Sequence, residues 1–502
     1  MPVRAKTTGV LAVLTLAAVS CSSGGDDDAD TATADTALFD SLQVHEIEVT
    51  YDQDDYDAMV ETYVDSGDKE WIEATVTIDG ETYEQVGMRL KGNSSLMGLR
   101  GGGGFGGRGP DAEAADDATG DTTTTEADGE AAPADEGGAG AGPGGGFGPG
   151  GSVSEDDPES LPWLIRLDEF VEGQDHQGYE DVVVRSNSSA TSLNEAVALD
   201  LLTAAGLPSE KAVSTSFRVN GGDPVLRLAI EHPDDDAWQE AAFDTEGALY
   251  KAESTGDWSY RGDDPADYEE VFDQEGGSDV TDLSPLIDLL QFLEESDDAT
   301  FAAELADRLD VDAFATYLAM MDLLGNFDDI DGPGNNAYLW YDVETEQFTV
   351  VPWDMNLALG TGLGGGPGGG GPGGGQPPEG FDPGQLPEGF EPPADGEMPE
   401  LPEGFDPGQL PEGGDGEGAA GGGPGGFGRS NPLVERFHAN SEFEALYQEK
   451  LTELRANLYE SGAADEVLAI RVDTLTEHAT ELVDEATITD EAETISAQFT
   501  AE

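Results

Sequence analysis

Apolar and polar residues alternate over Trp71–Ile78 and Tyr83–Lys91, which predicts two strands. Shorter apolar runs at Leu164–Leu167, Val213–Val219 and Val225–Ile230 predict three more. The pattern changes to a helical stripe through Leu193, Ala196, Val197 and Ala204. This predicts a helix over Ser192–Leu207, stopped by Gly206 and Pro208. Val311–Leu324 reads as a second helix, closed by Gly325. Two short β-like runs follow, Tyr338–Tyr341 and Phe348–Val351, joined by an acidic turn. Beyond Pro432 the period is helical again, over Leu433–Tyr459, Asp465–Asp484 and a weaker last stretch. Ser441 and Glu444 there have the spacing of a capping box. The expected class is α+β.

Two tracts carry no apolar period. Residues 101–151 are rich in Gly, Ala and acids, and residues 361–428 in Pro and Gly. A repeat in the second, Pro378–Gly389 and again Pro402–Gly413, is too short to build a solenoid. The first tract lacks the Gly-Lys-Ser/Thr ending of a phosphate loop, so it reads as a disordered insertion within one domain. The expected organisation is an export signal over 1–21 and an acidic tether over 22–37. A domain over 38–360, interrupted by 101–151, comes next. A low-complexity spacer over 361–428 and a helical C-terminal extension over 429–502 complete the chain.

Charge alters the functional picture. The 502 residues hold 108 acids against 20 Lys+Arg, a formal net charge of −88. Such a surface repels nucleic acid, which is excluded as a partner, and it gains stability from screening by salt. Adaptation to high salt is therefore expected. The only cysteine, Cys21, permits no internal disulfide. It follows basic Arg4 and Lys6, the short apolar run Gly9–Val19, and Ala18-Val19-Ser20, an arrangement that resembles a lipobox. Export and a lipid anchor on Cys21 are expected. The five histidines lack metal-ligand spacing and read as surface residues, and no hydrolase signature is present.

The richest chemistry lies in Val311–Asp354. A helix leads into Asn326-Phe-Asp328-Asp329-Ile-Asp331, then Asn335-Asn336, a hairpin, and an Asp at the strand end, Asp354. Phosphoryl transfer needs one carboxylate to orient the attacking hydroxyl, and another, helped by an Asn oxygen, to hold Mg²⁺. Asn336 lies eight residues after Asp328. Asp329 and Asp331 read as solvated turn residues; a calcium loop fails because Pro333 and Trp340 fall at ligand positions.

Seven motifs follow one another along the chain: Arg89-Leu-Lys91-Gly-Asn-Ser-Ser95, Ile165-Arg-Leu-Asp168, Ser192-Leu-Asn-Glu195 with Ala198–Leu202, Leu249-Tyr-Lys251, Gly325-Asn-Phe-Asp328, Asn336-Ala-Tyr-Leu and Val351-Pro-Trp-Asp354. In this order they resemble the CotH (spore coat protein H) family of atypical protein kinases. The resemblance spans about Leu42–Gly360. It implies a divergent protein-kinase-like fold, ATP with Mg²⁺ or Mn²⁺, and an exported protein as substrate. By motif, Asp328 matches the catalytic-loop carboxylate, and Asn336 and Asp354 match the metal ligands. Asn335 and Ala337 stand where the family pattern has His and Tyr.

Glu195 has two readings: the partner of Ser192 in a capping box, or the helix Glu that pairs with a phosphate-binding cation. Lys91, Arg166 and Lys251 are the candidate cations, and Lys91 and Arg166 also suit strand-end salt bridges. Glu231, after Val225–Ile230, is a candidate for the segment between two lobes, with its backbone on adenine. The expected function is a secreted Ser/Thr kinase. The alternative is a non-catalytic surface scaffold that keeps the fold.

Overall fold

A computed structural model describes residues 37–92, 94–96, 98–99, 153–254, 256–278, 280–332, 335–360 and 431–500. Cys21, the export signal, nearly all of the tether, and both low-complexity tracts lie outside these residues.

Seven strands close into a barrel in the order β1-β2-β3-β4-β5-β7-β6. They are β1 (Val44–Tyr51), β2 (Ile72–Ile78), β3 (Glu81–Leu90), β4 (Trp163–Arg166), β5 (Asp181–Val184), β6 (Ala212–Val219) and β7 (Val225–Ile230). Neighbours are antiparallel except β1 and β6, which run parallel with Val44 beside Ser214. Closure removes the free edges that a seven-stranded sheet would otherwise expose. The barrel also contains β1, which sequence patterning left unassigned, and β5.

The continuous apolar character of β4 and β5 has a physical reason. Ile165, Val182 and Val184 point into the barrel core with Val76, Met88 and Phe217. Leu164 and Val183 point the other way, onto helix α2 (Leu193–Ala204). Strands buried on both faces lose the alternation that marks half-exposed ones. A first helix, α1 (Gln53–Asp65), precedes β2.

After β7 the chain passes through α3 (Asp236–Ala242) into a second sheet of order β11-β10-β8-β9. Its strands are β8 (Gly247–Ala252), β9 (Phe272–Gly276), β10 (Ala337–Asp342) and β11 (Gln347–Pro352), all antiparallel. Helices α4 (Ser284–Glu295), α5 (Asp298–Glu304) and α6 (Val311–Leu324) pack with it. Helix α6 starts where the Asp310 side chain accepts from the amides of Asp312 and Ala313. It stops at Gly325, whose φ of +63° ends the helix without a Cβ penalty.

The C-terminal helices are α7 (Pro432–Ala439), α8 (Ser441–Leu454), a π-helical turn (Arg455–Glu460), α9 (Ala463–His478) and α10 (Glu485–Phe499). They share one apolar core with α2, α6 and the second sheet. Tyr459 Oη donates to the Leu323 carbonyl at 2.6 Å, joining the tail to α6. The expected helix over Leu433–Tyr459 is broken at Asn440, and the expected capping box is not made. Asn440 caps α8 instead, accepting from Glu442 N and Phe443 N, while Glu444 engages His438 at 2.7 Å. Among the described residues no helix is long and apolar enough to cross a membrane.

The reading of all five histidines as surface residues is corrected. His45, His176 and His232 are buried. Each has found a polar partner: Asp79 for His45 at 2.5 Å, the Tyr83 hydroxyl for His176 at 2.8 Å, and Asp181 for His232 at 2.8 Å.

Candidate functional site

Strand β5 hands the chain to Arg185, a buried cation that is 8% exposed. Its Nε lies 2.8 Å from Glu195 Oε1, in the first turn of α2, and its Nη2 donates to Asp354 Oδ1, just past β11. Three elements thus converge on one guanidinium. Asp354 has a φ of +62°, a conformation that turns the chain sharply away from β11 into the 3-10 turn Met355–Leu357. Burial opposes the charge on Arg185, but the carboxylates of Asp354 and Glu195 outweigh it and hold the guanidinium protonated well above its usual range. Burial also pushes Glu195 up to about 7; Arg185 draws it down and Asp354 pushes it further up.

The structure pairs Glu195 with Arg185, so none of Lys91, Arg166 or Lys251 is its partner. The capping-box reading fails as well: Ser192 is left-handed, with φ +53°, and its side chain caps nothing.

Lys91 and Lys251 occupy the neighbouring ground. Lys91 Nζ lies 2.7 Å from His232 Nε2 and 5.8 Å from the centre of the Trp353 ring. Lys251 Nζ stands 5.6 Å over Tyr338, whose ring meets Trp353 edge-on at 5.5 Å, and the Arg185 guanidinium lies 5.9 Å from Trp353. Trp353 therefore carries cations around it, one residue before Asp354. Burial pushes the Lys91 ammonium down to about 8, Asp234 and Glu275 draw it up, and the charges of Lys251 and Arg89 press it lower. Lys69 is held near 8 by burial together with Lys251 and Arg89. In a chain with 20 Lys+Arg, this concentration of cations is a marked feature.

The other two candidates are structural. Arg166 makes a two-pronged bond to Asp181 at 2.8 and 2.7 Å, and Asp181 holds His232 Nδ1. Burial opposes the charge of Asp181, but Arg166 and His232 keep its carboxyl below the usual aspartate range. Arg166 thus braces, through Asp181, the ring against which Lys91 rests. Glu231 lies between the barrel and the second sheet, and its carboxylate and N–H are both engaged. Its carboxylate accepts from Lys211 N and Lys211 Nζ, each at 2.7 Å, and from Tyr179 Oη at 2.8 Å. Its own N–H donates to the Lys211 carbonyl at 3.0 Å. The Glu231 N–H is thus committed within the barrel.

The loop after α6 brings Asp328 and Asn336 together. Asn336 Nδ2 donates to the Asp328 carbonyl at 3.0 Å, and Asn336 N to the Asp329 carbonyl at 2.9 Å. This commits the amide nitrogen and leaves the Asn336 oxygen as the end suited to a cation. Asn335, at φ +54°, accepts from Trp258 Nε1 at 3.1 Å and donates to the Glu253 carbonyl at 3.1 Å, so it ties the loop to the end of β8. Gly332 is required here, because a Cβ would lie 2.6 Å from Asp328 Cα.

Asp329 is not a solvated turn residue: it is 8% exposed and accepts from Asp331 N at 3.2 Å. Burial, and then the adjoining Asp331 carboxyl, push it up to about 8. A carboxyl raised on folding contributes stability that is full below the unfolded value, near pH 4, and is lost as pH rises toward 8. Asp329→Asn keeps a neutral group of the same shape. Its stability should fall less than that of the wild type between pH 5 and 8, by at least about 1 kcal/mol. Denaturant titrations at the two pH values check this; parallel losses in both proteins would contradict the buried proton.

Among the described residues no three His, Cys, Asp or Glu side chains form a ready cation cage. A family model described as CotH kinase protein matches residues 151–498. The chain belongs to the CotH kinase family. No curated protein matches the chain.

The CotH match starts later and ends later than the motif resemblance implied. It leaves β1–β3 ahead of it and takes in α7–α9 and most of α10. Within the CotH region, sequence reasoning missed Arg185, His232 and Asp234. A signal for Arg185 was present: Asp181-Val-Val-Val is an apolar run that closes on one of few cations, ten residues before Glu195. His232 and Asp234 gave none, since their meeting with Lys91 depends on barrel closure.

Proposed function

We propose that this CotH chain is a metal-dependent protein kinase that moves the γ-phosphate of ATP to a Ser or Thr hydroxyl of an exported protein. The observation that carries the reading is the convergence of Glu195, Arg185 and Asp354, flanked by Lys91 and Lys251. A strand-end cation paired with a helix Glu, next to a carboxylate at the end of a later strand, is the arrangement protein kinases use around nucleotide phosphates. Here Arg185 takes the strand position.

Asp354 and the oxygen of Asn336 would hold Mg²⁺ or Mn²⁺, and both are hard oxygen donors. Mg²⁺ commonly takes only one or two protein carboxylates and completes its shell with phosphate and water. When bound, the ion would neutralise phosphate charge. Lys91, Lys251 and Lys69 draw the phosphates in, and Arg89, whose guanidinium stacks over Trp71 at 4.6 Å, adds a further cation beside them. Asp328 orients the acceptor hydroxyl and takes its proton. The proposal extends to placement: a lipidated Cys21 tethers the domain outside the cytoplasm, in surroundings salty enough to screen −88 charges.

Incubation of the purified chain with γ-labelled ATP in molar salt, with and without Mg²⁺ or Mn²⁺, tests the activity. Metal-dependent label on the chain itself or on co-exported proteins is expected. One observation favours a second reading, a non-catalytic scaffold: Arg185 already neutralises Asp354, as a kept fold without metal would require. That reading predicts no label and no metal-dependent nucleotide binding.

A further inference from the structure

At the head of helix α2, Ser192 is left-handed and its side chain makes no capping bond. An uncapped N-terminus leaves amide donors and a partial positive charge without an acceptor. Here Thr191 Oγ1 takes the first helical amide, Leu193 N, and the loop ahead of the helix is held by α10, about 300 residues later. The Glu491 carboxylate accepts from Ser189 Oγ at 2.9 Å, Ala190 N at 2.8 Å, Thr191 N at 3.1 Å and the Thr191 hydroxyl. Those hydroxyls relay the order inward: Ser189 Oγ accepts from Ser192 N at 3.0 Å, and Thr191 Oγ1 from Leu193 N at 3.1 Å. A second tie fixes the middle of the helix, where Arg471 of α9 grips both oxygens of Asp200 at 2.7 Å.

The other side of this helix end holds the chain that follows Asp354. Asn194 Nδ2 donates to the Asn356 carbonyl at 2.9 Å and the Ala358 carbonyl at 3.3 Å, and Ser188 Oγ donates to Asn356 O at 2.9 Å. The N-terminal turn of α2 is thus held from behind by α10, carries Glu195, and grips the Asp354 turn in front. We infer that Glu491 is a positioning residue for the nucleotide site: it sets the start of α2, and through it the Glu195–Arg185–Asp354 cluster. The C-terminal helices then act as a strap whose seating decides whether the cluster is formed.

This inference rests on the nucleotide-site reading, and its test separates the two. The full chain is compared as wild type, Glu491→Gln, Glu491→Asp and Glu493→Gln, the last an exposed control on the same helix. Backbone hydrogen exchange is followed in molar salt, well below the melting temperature, over residues 189–197 and 355–359. Mg²⁺-ATP affinity is measured by calorimetry. Glu491→Gln should exchange about tenfold faster in both segments and bind Mg²⁺-ATP about tenfold more weakly, with little change in melting temperature. Glu491→Asp should recover part of each effect and Glu493→Gln should match the wild type. Unchanged exchange in Glu491→Gln overturns the inference, as does a drop in melting temperature without faster exchange in these segments. If the wild type binds no Mg²⁺-ATP, the kinase reading falls, while exchange still decides whether Glu491 sets the helix.

Discussion

Asp354→Asn should abolish metal-dependent nucleotide binding and lower phosphoryl transfer by roughly three orders of magnitude, the scale of several kcal/mol of lost charge stabilisation. The variant keeps the shape of the side chain and removes its charge. The fold should survive, because the remaining partner of Arg185 improves: with Asp354 neutral, the repulsion that raises Glu195 disappears, and Glu195 ionises more readily against the guanidinium. Melting temperature near that of the wild type, together with lost Mg²⁺-ATP binding by calorimetry in molar salt, is the expected pair of results. Asp328→Asn should behave differently, cutting turnover with little change in nucleotide affinity, since the proposed role of that carboxylate is to meet the acceptor and not the ion. Equal nucleotide affinity in wild type and Asp354→Asn would remove Asp354 from the metal site.

The fold was legible where one face of an element decides its pattern. Ile72–Ile78 alternates because one face is wet, and Val225–Ile230 and Val311–Leu324 were bounded by turn residues and Gly325. Val183 and Leu164 gave a weaker signal, being buried on both sides. Asp328, Asn336 and Asp354 stand out in the sequence because all three lie within one stretch, where order along the chain carries meaning. What failed were judgements that needed distant partners. Ser192-x-x-Glu195 has the spacing of a capping box, but the Ser192 side chain caps nothing, Glu491 holds the loop ahead of the helix, and Arg185 claims Glu195. Asp329 looked like an ordinary loop acid, yet the loop folds inward and buries it. Glu231 follows β7 ahead of the second sheet, but its carboxylate oxygens are taken by Lys211 and Tyr179.

Arg185→Met should cost about 3–5 kcal/mol of stability near neutral pH, the penalty for stranding a buried charge when its partner is removed. Glu195 is 1% exposed, and the guanidinium is the cation that faces it. Without Arg185 its carboxyl can be kept only by binding a proton, so its value must rise above the 7 or so it has in the wild type. A carboxyl raised on folding holds its full contribution below the unfolded value, in the range of pH 4 to 5, and loses it as pH climbs through the folded value. The variant should therefore lose less stability at pH 5 than at pH 8, measured by denaturant titration in molar salt. Arg185→Lys keeps the charge but not the fork that reaches two carboxylates at once, so its loss should be intermediate. In Arg185→Met/Glu195→Gln the stranded charge is gone, and much of the stability should return while Mg²⁺-ATP binding does not. That split separates the two duties of the cluster: the charge balance that lets α2 sit against the barrel, and the cation that faces the phosphates. A loss below about 1 kcal/mol at every pH would mean that Arg185 and Glu195 are not the buried pair on which both duties depend.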